Sequence, residues 1–363
     1  MKLYTGKVWD IDLDEPADTR WTDFAIQNGD AIQSLLDDVE TEIEETLAPN
    51  LPGPLMAAVH MLANGGGWLL RQIVDMFGED YTQELACIAK HAEVPVGKLM
   101  LGNLIYDFTS LAEMYGCGCS SISFEVDKSP VLVRNMDWVV PRSTGRHTRI
   151  FRFHRGRQAY TSVGVAGMVG VISAMGDSWA VTVNQAPVVY KPLNLFDSVF
   201  NWLRAPKLLF KWPVLQGVRA ACDLLPKSYN SLVLGLRSYE TIVPFFAHVV
   251  GSKAHEHTVV THVGDDDAIR TRRNGLVQTN HYVHRKYEEY NPDKAEGWVT
   301  YPRYDALKAV LRNSLTDERK ESIAQRPVTA LQLLADATDE DTMQQMVLWP
   351  SRQQMVVKTR NNG

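Results

Sequence analysis

Cysteine, excess positive charge and long apolar runs are all scarce in this chain. Only four cysteines occur among 363 residues, Cys87, Cys117, Cys119 and Cys222, and no Asn-x-Ser/Thr sequon is present. Both facts favour a reducing, cytoplasmic setting or the periphery of a membrane over a disulfide-stapled secreted domain. The net charge is -6, which leaves no broad basic field to attract a phosphate backbone and excludes nucleic acid as a partner. Nowhere do eighteen apolar residues run without a charge, and Met1 to Gly6 hold no apolar signal core, so neither a membrane span nor a leader is expected. A precursor whose signal had been trimmed would instead be lysosomal or secreted.

What is there has the balance of an ordinary globular enzyme, 45% apolar and 22% charged, without low-complexity tracts. The length predicts either two lobes or one large domain with an N-terminal addition. From about Thr19 to Ser110 the apolar residues Trp21, Phe24, Ile32, Leu35, Leu36, Val39 and Ile43 recur at a helical period, which predicts an all-helical first lobe. Pro52-Gly53-Pro54, Gly65-Gly66-Gly67 and Val94-Pro95-Val96-Gly97 punctuate it. After Gly118 the texture changes to short strand-like segments: Ser121 to Val126, Val131 to Asp137, Arg149 to His154 and Trp179 to Asn184. A second helical stretch is expected from roughly Leu195 to Phe246, with strands resuming at Thr258 to Val263, Leu276 to His281 and Met343 to Lys358. The expected division is a helical region, 1–118, followed by a layered sheet-and-helix domain, 119–363.

The switch from helix to strand coincides with Gly116-Cys117-Gly118-Cys119-Ser120-Ser121. A thiol becomes a useful nucleophile beside a base or a cation, because the thiolate is the reactive form. A cut after Gly118 would supply the base on the same residue, the new α-amine of Cys119. Gly118 leaves the scissile carbonyl unshielded. Arg134-Asn135-Met136-Asp137-Trp138 ends the next expected strand, and a hairpin would return Arg134 and Asp137 to the cysteine, one as a fixed positive charge and the other as a carboxylate for the amine.

Cys119-Ser120-Ser121-Ile122 followed by Arg134-Asn135-Met136-Asp137-Trp138 resembles the Cys-Thr-Ser-Ile and Arg-Asn-Met/Leu-Asp-Trp/Phe motifs of the acid ceramidase and N-acylethanolamine acid amidase family, within the choloylglycine hydrolases. Arg20-Trp21, Leu101-Gly102-Asn103-Leu104-Ile105-Tyr106 and Gln278-Thr279-Asn280-His281 extend the likeness over most of the chain. The resemblance implies an α+β, four-layer αββα N-terminal-nucleophile fold with an N-terminal helical prodomain. It implies self-cleavage into an α subunit and a catalytic β subunit that stay associated, and no cofactor or metal. By motif match Cys119 is the nucleophile, with Arg134 and Asp137 as its neighbours. Asn184 and Asn280 are the oxyanion donors, and Arg303 braces the site. The chain departs from the ceramidase Asn-Glu-Arg pattern at Asn184-Gln185-Ala186, where a neutral Gln185 would alter pH dependence or head-group recognition. The expected substrates are lipid N-acyl amines such as N-acylethanolamines or ceramide-like lipids.

Other readings stand beside this one. Within the same fold, a penicillin V or bile-salt acylase is the nearest alternative, and Arg134 argues against an acyltransferase, whose motif resembles Gln-Asn-Trp-Asp. A silent lipid-binding protein on a membrane surface is the rival of another class. His255, Glu256, His257 and His262 invite a zinc site, but alternation on a strand accounts for them equally. Cys87 and Cys117 read as structural. Gly164 to Gly170 lacks the Lys-Ser/Thr of a phosphate loop. Phe200, Trp202, Leu209, Phe210 and Trp212, interleaved with Arg204, Lys207 and Lys211, have the composition of an interfacial surface at a substrate entrance, and Leu55 to Leu62 and Trp68 to Phe77 would add a second apolar patch.

Overall fold

The strand-like segments after Gly118 assemble into two sheets laid face to face in a computed structural model that describes residues 1–42, 78–111, 118–137, 142–188, 211–291, 299–338 and 342–360. One sheet has the order β1 (Lys2–Leu3), β14 (Gln354–Thr359), β13 (Thr342–Trp349), β4 (Ser129–Asp137), β3 (Ser120–Val126), β12 (Gly275–Gln278). The other runs β11 (Asp266–Thr271), β10 (His257–Val263), β9 (Phe245–Gly251), β8 (Trp179–Gln185), β7 (Ser173–Gly176), β6 (Gln158–Val165), β5 (Thr148–Arg155), β2 (Val8–Asp12). Neighbours within these sheets are antiparallel except β2 with β5.

Helices cover both outer faces. Ile122, Phe124 and Val126 project from one face of β3 and share a core with Leu307 of α7 (Thr300–Asn313), Ile323 of α8 (Asp317–Gln325) and Leu331 and Leu334 of the 3-10 segment Pro327–Ala337. On the far side α1 (Thr22–Glu42), α2 (Glu79–His91), α3 (Val96–Asn103), α4 (Ile105–Leu111), α5 (Val214–Asp223) and α6 (Tyr229–Leu236) cover the second sheet. There Trp21, Phe24, Leu85, Val218 and Leu232 pack with Phe151, Phe153, Val181 and Phe245. Each such fully buried side chain stabilises by about 1.5–3 kcal/mol. The layers therefore run helix, sheet, sheet, helix.

A tight turn fixes the register that matters for the site. Asp127 (φ 51) and Lys128 (φ 60) both adopt the left-handed conformation, which a two-residue hairpin loop requires if its twist is to match the strands. Val126 thereby faces Ser129, and counting back sets Ser121 opposite Arg134 and Ser120 opposite Asn135. A one-residue slip would turn the whole row to the other face.

Several expectations are corrected. The N-terminal lobe is not all helix: β1 and β2 each join one of the two sheets, and Trp9, Trp21 and Leu85 lie in one core with residues from beyond Cys119. Met343 to Lys358 is a hairpin broken at Pro350–Arg352, not one strand. The strand from Leu276 ends at Gln278. In the stretch expected to be helical up to Phe246, the helices are Val214–Asp223 and Tyr229–Leu236, and β9 already begins at Phe245. Residues 43–77 and 189–210, with their expected helices and apolar patches, lie outside the described residues.

Candidate functional site

Side chains alternate across a strand, so Cys119, Ser121, Ser123 and Glu125 all leave β3 on the face turned toward the second sheet. The interior of a sandwich is an expensive place for hydroxyls without partners. Here they are satisfied by histidines: His248 on β9 places Nδ1 2.9 Å from Ser121 Oγ and Nε2 2.9 Å from Ser123 Oγ. His257 Nδ1 stands 2.9 Å from the same Ser123 Oγ, and its Nε2 faces Glu125 Oε1 at 3.7 Å. Burial, followed by Arg270 and His257, holds His248 well below its ordinary pKa, and burial lowers His257 to about 4. Both rings are therefore neutral near pH 7, each with one donor and one acceptor nitrogen. Together they tie the strand that follows Cys119 to the facing sheet.

At the head of that row Cys119 is half-buried, and Arg134 reaches it across the hairpin, Nη2 donating to Sγ at 2.9 Å. The guanidinium is 1% exposed and bridges the two sheets, giving further bonds to Val183 O at 2.8 Å, Ile172 O at 3.4 Å and the Ser173 hydroxyl. No carboxylate pairs with it among the described residues. The sulfur is its one partner there that can become an anion.

Arg303, on the first turn of α7, occupies the other side of the Gly118–Cys119 bond. Its Nη1 lies 2.7 Å from Gly118 O, 3.0 Å from Ser120 Oγ and 3.0 Å from Asp137 Oδ2, while Nη2 donates to Asn280 Oδ1 at 3.2 Å. Thr342 donates to the remaining Asp137 oxygen at 2.6 Å, from a bulge where β13 shifts register against β4. Thr300, also on the first turn of α7, accepts from the Asn280 N–H at 2.9 Å. Asn280 and Arg303 are thus aimed by one helix end. A Cβ on Gly118 would overlap the Asn280 carboxamide and stand 2.7 Å from Arg303 Nη2.

Asn184 lies on β8 with its amide nitrogen toward Gln278 O at 3.0 Å and toward Cys119 O and Thr279 O at 3.3 Å each. Asn280 donates to Gln185 O at 2.9 Å. Asn184 thus reaches the Cys119 carbonyl, whereas the Asn280 carboxamide is held between Gln185 O and Arg303.

The structure brings Cys119, Arg134, Asp137, Asn184, Asn280 and Arg303 together with Gly118. It adds Asp107, which pattern reading did not single out, and gives Tyr106 and Gln185 their partners. Tyr106 donates to Asn184 O at 3.3 Å, and burial, then the neighbouring Asp107 and Cys119, push its hydroxyl well above the ordinary phenol range. Asp107 is fully enclosed, and burial raises it to about 7 even though it accepts from the Val214 N–H at 3.2 Å. The sequence signal for it is a lone acid among Leu104, Ile105, Tyr106 and Phe108. Gln185 donates to Ser110 at 2.8 Å, tying β8 to α4, a bond that a carboxylate could not donate.

Elsewhere the expectations fare differently. Trp212 is half-buried between Tyr81 and Tyr239, ring centroids 5.9 and 5.5 Å away, so it belongs to the wall of the core. Phe200, Trp202, Leu209 and Phe210 lie outside the described residues, as does Cys117. His262 stacks against Phe245, whereas His255 and His257 gather at Glu125. Cys87 and Cys222 are buried. Among the described residues no helix is long and apolar enough to cross a membrane. An apolar cavity lined by Leu35, Leu36, Val39, Leu99, Ile105 and Met168 holds about 30 Å³, room for water but not for an acyl chain.

Comparison with known proteins places these motifs among relatives. No family model matches the chain. It is 24% identical over 276 residues to acid ceramidase of Balaenoptera acutorostrata scammoni, covering 71% of this chain and 64% of that one. It is 27% identical over 258 residues to the N-acylethanolamine-hydrolyzing acid amidase of Caenorhabditis elegans, covering 70% and 66%. The chain thus spans slightly under two thirds of the length of these relatives. A solved structure of the Caenorhabditis elegans N-acylethanolamine-hydrolyzing acid amidase ortholog aligns with a TM-score of 0.46 at 18% identity, covering 64% of this chain and 93% of that one.

Proposed function

From its likeness to acid ceramidase and N-acylethanolamine-hydrolyzing acid amidase, we propose that this chain is a self-cleaving cysteine amide hydrolase whose nucleophile, Cys119, is freed by scission after Gly118. The observation that carries the reading is the paired grip on that bond: Arg134 on the sulfur at 2.9 Å and Arg303 on the scissile carbonyl at 2.7 Å. A buried guanidinium is costly unless a counter-charge meets it, and a developing thiolate is the counter-charge this geometry offers Arg134.

In the cleavage step the Cys119 sulfur adds to the Gly118 carbonyl carbon, and the resulting oxyanion accepts from Arg303. Collapse breaks the C–N bond, the Cys119 amine leaves with the thiol proton, and a thioester remains. Water hydrolyses it, releasing the Gly118 carboxylate and restoring the thiol. Asn184, which reaches Cys119 O, and Asn280, which a Cβ on Gly118 would overlap, then serve as oxyanion donors for substrate.

In turnover the α-amine of Cys119 accepts the thiol proton, the sulfur attacks the substrate amide carbonyl, and the protonated amine donates to the leaving nitrogen. Water then cleaves the acyl thioester. Asp137, held by Arg303 and Thr342, orients the amine. The proposed substrates are lipid N-acyl amines, released as fatty acid and amine. The regions before and after the cut share one core, which supports their staying together as two subunits, and any membrane contact would fall to the segment around residues 200–212.

Mass spectrometry of the purified chain held at mildly acid and neutral pH tests the reading. A fragment beginning at Cys119 is expected from wild type and none from Cys119→Ala. Persistent intact wild-type chain under every condition would overturn it. A panel of N-acyl amines scored for free fatty acid then names the substrate.

A further inference from the structure

The N-terminal turn, the start of β5 and the end of β14 enclose an open cavity of about 300 Å³. Its lining includes three cations, Lys7, Arg146 and Arg149, and no acid. Arg149 is half-buried, yet it gives its bonds to neutral groups alone: Nε to Asn28 Oδ1 at 2.8 Å, and Nη1 to Thr148 O at 2.9 Å and Arg146 O at 3.4 Å. No carboxylate pairs with it among the described residues. Lys7 likewise has no acid and rests over the Trp9 ring, 3.8 Å from its centroid. Among the described residues Arg146 is the one of the three cations with a counter-ion, Asp38 at 3.2 Å, and its Nη2 also donates to Ser34 at 2.8 Å.

Taking a guanidinium partly out of water without a counter-charge is unfavourable, and burial lowers the basicity of Arg149 for that reason. A protein that keeps such a group at the wall of a cavity has built half of an ion pair. The acids on and after β2 are used elsewhere: Asp10 pairs with Arg152 at 3.1 Å and Asp14 with Arg155 at 3.2 Å. The α1 helix itself is bent at Asn28 (φ -123), and the Asn28 carboxamide that caps Phe24 O also supports Arg149. The arginine is therefore aimed, not loose.

We propose that this cavity binds a phosphate-bearing anion, received by Arg149 and Lys7 with Arg146 at the rim. A guanidinium fork and an ammonium are the two groups that recognise phosphate best, one by planar geometry and the other as a point charge. Trp9, 9% exposed and already beneath the Lys7 ammonium, gives the wall an apolar face for whatever the phosphate is attached to. The phosphate can belong to a soluble ester or to a lipid head group, and the test separates these sources.

Isothermal titration with inorganic phosphate, and sedimentation with phosphatidylcholine vesicles with and without phosphatidic acid, are run on wild type, Arg149→Gln and Lys7→Gln. Saturable binding of one probe is expected, weakened about tenfold or more in Arg149→Gln, the loss of one charge-assisted contact. Lys7→Gln alters an exposed side chain and keeps the test valid where Arg149→Gln fails to fold. Phosphate binding identifies a soluble ester, and binding only to vesicles that carry phosphatidic acid identifies a head group. Absence of saturable binding to either probe, or binding unchanged in both variants, would overturn the proposal. These readouts do not depend on amide hydrolysis.

Discussion

Arg303 donates from Nη1 to the carbonyl oxygen of Gly118 at 2.7 Å, and the same nitrogen stands 3.0 Å from Asp137. One guanidinium therefore holds both the bond proposed for scission and the carboxylate proposed to hold the new amine. Arg303→Met is expected to slow fragment formation about 10²- to 10³-fold, the usual effect of losing one oxyanion donor. The change also strands a buried Asp137, at a cost of about 3–5 kcal/mol. The double variant Arg303→Met/Asp137→Asn removes that cost, so cleavage that remains slow in a folded double variant isolates the chemical role. A denaturing-gel time course decides it, and a wild-type rate would exclude Arg303 from the step.

Gly118→Ala is expected to block the cut without touching any functional group. The added methyl overlaps the Asn280 carboxamide and crowds Arg303. The chain should stay intact over times at which wild type is fully cleaved. Normal cleavage in this variant would mean that the bond does not lie against Asn280 during the reaction.

The ion pair between Arg219 and Glu84 predicts a mechanical role. Both side chains are 0% exposed, and two parallel bonds of 2.5 and 2.7 Å join α5 to α2 across the proposed subunit boundary. Arg219 also reaches Asp223 at 3.2 Å, where Tyr160 and Tyr81 donate at 2.5 and 3.1 Å. Arg219→Met should lower unfolding stability by about 3–5 kcal/mol, because Glu84 is left buried and charged. Arg219→Met/Glu84→Gln should recover much of it. Urea denaturation measures both, and size exclusion after cleavage shows whether the fragments still travel together.

Buried histidines give the stability a definite acid limb. His248 lies well below its ordinary pKa, and His257 and His147 are lowered to about 4, chiefly by burial. An unfolded histidine titrates near about 6.5, so below that pH the unfolded chain binds more protons than the folded one. Their contribution is present above about 6.5 and is lost as pH falls toward 4. Replacing His257 by Gln should flatten the denaturation midpoint over this window, and an unchanged slope would remove His257 from the account.

Asp107 acts in the opposite sense. Its folded pKa is raised to about 7, so the folded chain binds the extra proton, and the contribution is full below the ordinary carboxylate range and lost as pH rises through 7. Asp107→Asn keeps an acceptor for Val214 and cannot ionise. Its stability at pH 8 relative to pH 5 should exceed that of wild type in the same comparison, measured by denaturant midpoints.

Much of the site was legible because its residues lie close in sequence or carry a distinctive local pattern. Cys119 and Arg134 needed only a hairpin, and strand alternation with a two-residue turn determines that pairing locally. Asp107 was overlooked because burial, which raises it, is a property of the layers above it. The packing of Trp212 went unseen for a related reason: Tyr81 and Tyr239, which close around its ring, are distant in sequence. The strands β1 and β2 went unseen because two- and five-residue segments carry too little periodicity without their partners.

By itself the sequence determined the alternation that sends Cys119, Ser121, Ser123 and Glu125 to one face, the glycine before the cysteine, and a composition without a broad basic field. Only the tertiary structure decided what that face meets: His248 from the opposite sheet, Asn184 from β8, and Arg303 from a helix nearly two hundred residues downstream. The physical reason is range. Strand period and turn geometry act between neighbouring residues, whereas burial, charge pairing and the fit of Gly118 against Asn280 exist only once the two sheets have closed on each other.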